Sequence, residues 1–213
     1  MASKISMRVT RRNDKGKTKG RGKGNVRLSD ESETEEAETN PLVRRHNNIV
    51  YFFTDLSEEN VLDLYEKLEE AREYCILNRI KELYIHIQSE GGCMFSGLNA
   101  MEYISNIEDV KVVGVVCGCA ASASTLLLMG CSYVKMYEYS FVLIHQLSTS
   151  FDFGKFSELR DELKNTEKFN NSLRSVYKKY TSIDDKKLDE LFSKDIYLNA
   201  AECIEYGIID EIM

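Results

Sequence analysis

The chain has 213 residues, 43% of them hydrophobic, with a formal net charge of −7 and a pI near 5.2. That length suits one domain with a sizeable core and excludes a second full one, while the acidic balance argues against a nucleic-acid-binding surface for the chain as a whole. No stretch approaches the roughly 20 unbroken apolar residues of a membrane helix, and MASKISMRVTRR is followed by no apolar segment, so a cytoplasmic location without a secretory signal is expected.

Residues 1–42 are expected to be a disordered charged tail. The basic KGKTKGRGKG and the acidic SDESETEEAET lack apolar periodicity, and neither can bury enough surface to offset the entropy of ordering. The basic block reads first as solvated; an arm for nucleic acid or an acidic partner is the alternative. The single proline, Pro41, closes the tail.

From Asn48 the pattern alternates between strand-like and helix-like segments. Ile49 to Phe53 is a short apolar run, and Ser57 followed by Glu58 and Glu59 marks a capped helix start. Val61, Leu64, Tyr65, Leu68, Ala71 and Cys75 then recur at helical spacing. In ELYIHIQS, Leu83, Ile85 and Ile87 alternate as in a half-buried strand. Gly91-Gly92 interrupts before a helix with Phe95, Leu98, Met101 and Ile104 on one face. VKVVGVV is a β-branched run of the kind buried on both faces of a sheet. It leads through GCAAS into the apolar TLLLMG, after which YVKMY and SFVLIHQ are two close strand candidates. A long amphipathic helix is predicted from about Phe156 to Tyr180, its apolar side carried by Leu159, Leu163, Phe169, Leu173, Val176 and Tyr180. Repeated strand-helix-strand units indicate an α/β fold on a mostly parallel sheet.

Ser122 falls where a buried strand ends and an apolar helix begins, after Gly118, Ala120 and Ala121. Small residues permit a sharp turn there, and the helix start offers free N–H groups beside the hydroxyl. The N–H of Ala123 can then face a developing oxyanion, and the Gly91-Gly92 pair can supply a second backbone donor, because glycine allows close approach. A serine nucleophile needs a base, and there are three histidines. His46 is assigned to the tail, His86 lies mid-strand, and His145 ends the SFVLIHQ run, where a strand end presents an imidazole to a neighbouring turn. On spacing alone the bland alternatives stay open: Ser122 as a small residue in a packed turn, His145 as a structural histidine. The six cysteines lack metal-ligand spacing and read as small buried hydrophobes, with Cys117-x-Cys119 a weak redox or metal signal.

From about Asn48 onward the chain resembles the proteolytic subunit of Clp peptidases. The resemblance rests on SEGGCMFSGLNAMEYI for the glycine-pair segment, GCAAS for the nucleophile motif, LIHQ for the histidine motif and LNAAECIEYGIIDEI for the closing signature. It implies a crotonase-like fold whose long helix near residues 156–180 is a handle interlocking two rings. It implies Ser122 as nucleophile, His145 as general base, and the N–H groups of Gly92 and Ala123 as oxyanion hole. Protein and peptide substrates would be hydrolysed through an acyl-enzyme, without metal or organic cofactor. Members of the family form homo-oligomers of two stacked heptameric rings fed by an AAA+ unfoldase.

Three departures accompany the resemblance. An ungapped match from the C-terminus puts Leu191 in the column of the catalytic aspartate, so Asp195 in SKDIYLN is the nearest candidate acid, with Glu190 and Asp189 behind it. The glycine-rich stretch after the histidine motif is here LSTSFDFG. The charged tail stands in place of the segment that lines the axial pore. A catalytically inactive, structural or regulatory ring subunit is therefore the second reading. A crotonase-type acyl-CoA enzyme is the third, and an ATPase-independent maturation peptidase of a viral assembly is a variant of the first.

Overall fold

The computed structural model describes residues 42–148 and 154–213. The tail expected over residues 1–42 lies outside the described residues except for Leu42, as does most of LSTSFDFG. Strands β1 (Val43–His46) and β2 (Ile49–Phe52) form an antiparallel hairpin, turned by Asn47 in the left-handed region at φ 54°. His46 is thus in a strand and not in a tail. The misreading has a physical cause: VRRH offers one apolar residue, and the strand is held by burial of Val43 and by an Arg45 Nε–Glu70 ion pair of 3.0 Å to the first helix, neither visible as alternation.

That helix, α1 (Glu58–Asn78), starts at Ser57, whose hydroxyl accepts the Asn60 N–H at 3.1 Å, and it ends at Arg79 in the left-handed conformation. Val61, Leu64, Leu68, Ala71 and Cys75 are buried along it at the expected spacing. Next come β3 (Glu82–Ser89), α2 (Met94–Ser105), β4 (Lys111–Ala121), a 3₁₀ turn (Ser122–Ser124) and α3 (Thr125–Gly130). Strands β5 (Tyr133–Met136) and β6 (Phe141–Leu143) precede α4 (Phe156–Tyr180), α5 (Asp185–Ser193), α6 (Ala200–Glu205) and β7 (Glu211–Ile212).

The sheet runs β1-β2-β3-β4-β5-β7, with β6 also paired to β4, and every pairing beyond the first hairpin is parallel. Register aligns Val50 with Ile85 and Phe52 with Ile87 on the face that packs against the helices, where all four are fully buried. Each such side chain contributes about 1.5–3 kcal/mol of gross burial energy. The opposite face carries Tyr51, Tyr84 and His86, which are half-buried. β4 is buried on both faces, through Val112 and Val116 on one and Val113 and Val115 on the other. Its length lets it serve two partners on one edge: β5 pairs with Val113–Val116 and β6 with Cys119–Ala121.

Two helix faces differ from expectation. Phe95 is exposed on α2, whose buried side runs through Met94, Gly97, Met101 and Ile104, and its ring meets Phe169 edge-on at 5.2 Å. On α4 the buried residues are Leu173 and Tyr177, while Leu159 and Leu163 face solvent. The periodicity is that of one amphipathic helix, but among the described residues its C-terminal half alone has a neighbour to pack on. No helix among the described residues is long and apolar enough to cross a membrane.

Candidate functional site

Three strand ends converge. Between Ile87 and Ser89 the β3–β4 register shifts: two steps along β3 oppose the four from Val116 to Ala120 on β4. The surplus residues bulge at Gly118, φ 91°, whose N–H donates to the buried Ser140 hydroxyl at 2.7 Å, and that hydroxyl donates to Val116 O at 3.2 Å. A bulge bends its strand and re-aims the residues beyond it. Here it re-aims Ser122, a non-glycine residue in the left-handed region at φ 55°, a conformation that costs about 1–3 kcal/mol and persists only where surroundings enforce it.

Those surroundings are specific. Ser124 Oγ lies 2.7 Å from Ala121 O and 3.0 Å from Ser89 O, a bifurcated donation that ties the turn to the end of β3. Thr125 Oγ1 donates to Ser122 O at 2.7 Å. Gly91, at φ 101°, lies so close that a Cβ on it would fall 2.7 Å from both Ala121 O and Ser122 Cβ. Gly92, at φ 144°, forms a parallel bridge with Leu56, in which Leu56 N–H donates to Gly91 O at 2.7 Å and Cys93 N–H to Leu56 O at 2.8 Å. That pattern skips the Gly92 N–H. Among the described residues neither it nor the Ala123 N–H has an acceptor. Both residues line a cavity of about 100 Å³ together with Ser122, His145, Met94 and Tyr177.

Pairing of Ala121 with Leu143 puts His145 just past the end of β6, two residues beyond the strand, beside the Ser122 turn. No hydrogen bond joins Ser122 to His145 among the described residues, but the two share the cavity. Leu198 exchanges two backbone bonds with Val142, of 2.9 and 2.7 Å, which brings the segment before it alongside β6. Asp195 Oδ1 consequently lies 3.6 Å from His145 Nδ1, an ion-pair distance beyond hydrogen-bond length. The other candidate acids are engaged elsewhere. Leu191 is 2% exposed in the core, Glu190 is held by Lys187 and Lys194 at 3.3 Å each, and Asp189 is bound to Arg174 at 2.7 Å.

Residues 48–213 match the Clp protease family. The chain belongs to that family. The match begins after β1, so the first strand of the hairpin lies outside it, and it takes in every element of the Clp-type α/β fold that builds the cavity. The family is one of peptidases.

Two residues of this Clp protease family member that its sequence pattern does not single out touch the site from α4. Tyr177 Oη is 2.7 Å from Thr125 Oγ1, and Asn170 Oδ1 accepts the Leu147 N–H at 2.9 Å, two residues past His145. Tyr177 carries a signal, four residues after Leu173 on the same stripe; Asn170, a polar residue on a polar helix, carries none. His86 lies apart from the cavity, edge-on to Tyr51 at 5.3 Å with Cys117 Sγ 3.5 Å from its Nδ1, and burial lowers its pKa. All six cysteines are free. Burial pushes the Cys117 thiol up to about 11 and those of Cys131 and Cys203 to about 12, so none of these three is a thiolate near neutral pH. No cluster of three or more His, Cys, Asp or Glu side chains suited to a metal ion occurs among the described residues.

Proposed function

We propose that the protein is a serine endopeptidase in which Ser122 is the nucleophile, His145 the general base, Asp195 the orienting acid, and the N–H groups of Gly92 and Ala123 the oxyanion hole. The observation that carries this reading is the enforced left-handed turn at Ser122, which opens into one small cavity with His145 and with two backbone amides that lack acceptors among the described residues. Strain of that kind is retained where function uses it. In the reaction, Ser122 Oγ forms a bond to the scissile carbonyl carbon while its proton passes to His145 Nε2. The carbonyl oxygen, now negative, is held by the two amides. Collapse breaks the C–N bond, His145 returns the proton to the leaving amine, and water repeats the sequence to release the acyl group.

Family membership supports a proteolytic chamber built as a homo-oligomer of stacked heptameric rings, acting on protein and peptide substrates in the cytoplasm, with an AAA+ unfoldase as the partner that delivers them. A fluorophosphonate probe is expected to label the purified full-length chain at Ser122, and Ser122→Ala to abolish labelling. A folded chain that never labels and cleaves no peptide overturns the proposal. That result would favour the second reading, a catalytically inactive ring subunit, for which the 3.6 Å gap between Asp195 and His145 speaks.

A further inference from the structure

We propose that Tyr177 and Thr125 are positioning residues that set the plane of the Ser122–Ala123 peptide, and through it the aim of the oxyanion donor. Thr125 Oγ1 lies 2.7 Å from Ser122 O and 2.7 Å from Tyr177 Oη. A threonine hydroxyl carries one hydrogen. The Ser122 carbonyl can only accept, so that hydrogen is committed to it, and Tyr177 must then donate to Thr125. The result is a directed chain from Tyr177 through Thr125 to the Ser122 carbonyl.

Both side chains are sealed from water, Thr125 at 0% and Tyr177 at 2% exposure, so solvent does not compete for these bonds. Burial also pushes the Tyr177 phenol up to about 12, which keeps its proton in place over the working range of a peptidase. The geometric consequence comes from peptide planarity. The Ser122 C=O, which also accepts the Thr125 N–H, and the Ala123 N–H belong to one rigid unit and point in opposite directions, so fixing the carbonyl fixes the amide. A threonine bonding back three residues in a helical turn is common local chemistry. The tyrosine is not local: it lies 52 residues away on α4.

This inference rests on the serine peptidase reading, and its test separates the two. Labelling by a fluorophosphonate is measured as a function of probe concentration for the full-length wild type, Tyr177→Phe, Thr125→Val, Thr125→Ser and the Tyr177→Phe/Thr125→Val double variant, with a thermal melt of each. Tyr177→Phe is expected to lower the maximal labelling rate about fivefold, the effect of one buried hydrogen bond, with the half-saturating probe concentration unchanged. Thr125→Val should do the same, Thr125→Ser should recover most of that loss, and the double variant should be no slower than the slower single one, as links of one chain are non-additive. Labelling of wild type with an unchanged rate in Tyr177→Phe overturns the inference alone, as does a change confined to half-saturation, since Tyr177 also lines the cavity. Additive losses overturn it as well. Absence of labelling in wild type overturns the peptidase reading and the inference with it. Should Thr125→Val not fold, Tyr177→Phe decides by itself.

Discussion

Asp195 meets His145 from a position 80% exposed to solvent, at 3.6 Å. A buried, hydrogen-bonded acid in a triad is worth about 10⁴ in turnover, whereas an exposed ion pair is worth about 0–1 kcal/mol, at most roughly fivefold in rate. Asp195→Asn is therefore expected to slow fluorophosphonate labelling of the purified chain by no more than about fivefold; a loss near 10⁴ would mean that the carboxylate closes onto the imidazole in the working enzyme. Spacing alone leaves Ser122 and His145 open as a packed-turn serine and a structural histidine; the likeness of GCAAS and LIHQ to family motifs is what singles them out, and the two line one cavity. The proposed acid is ambiguous in the sequence because Asp195 sits in an irregular segment whose position is set by two backbone bonds between Leu198 and Val142, a contact with no side-chain pattern. Leu191, the residue favoured by ungapped counting, is where helical periodicity of α5 requires it, in the core with Leu188 and Phe192.

The turn after β3 and the turn after β4 are a matched pair. Gly91 fits against the Ser122 turn only because it lacks a Cβ, and the atoms it would strike are the Ala121 carbonyl oxygen and the Ser122 Cβ, each at 2.7 Å. Gly91→Ala is expected to destabilise the fold by about 2 kcal/mol or more through strain at positive φ, lowering the melting temperature by about 4–8 °C, and to abolish labelling even in the fraction that remains folded. An unchanged melting temperature and labelling rate would show that the two turns do not touch in solution. The doublet is visible in the sequence; its reason is not, since which of two glycines abuts the serine depends on a register shift that alternation cannot reveal. Elements with a strong period were read well, and α4 spans Phe156–Tyr180 as its spacing predicted. The hairpin strand β1 was missed because an edge strand rich in arginine has no alternation to detect.

At the scale of the whole molecule, the N-terminal half of α4 is an apolar surface with no neighbour among the described residues: Phe156, Leu159 and Leu163 are 80%, 42% and 55% exposed. A run of such residues on a monomer marks an interaction surface, and ring stacking through this helix is the proposed use. Leu159→Glu combined with Leu163→Glu is expected to shift sedimentation from the full assembly to a species about half its mass; an unchanged profile would remove α4 from the ring-to-ring contact. The forked strand β4 has a further consequence. It carries Ser122 at its own tip and, through β6, holds His145 as a side branch of the same ladder. The two are therefore anchored to a single strand and not to separate elements of the fold. Asp195 is tied to that same branch through the two Leu198–Val142 bonds, so all three side chains hang from β4, and the exposed lead from Leu198 back to Asp195 is the least constrained part of the arrangement.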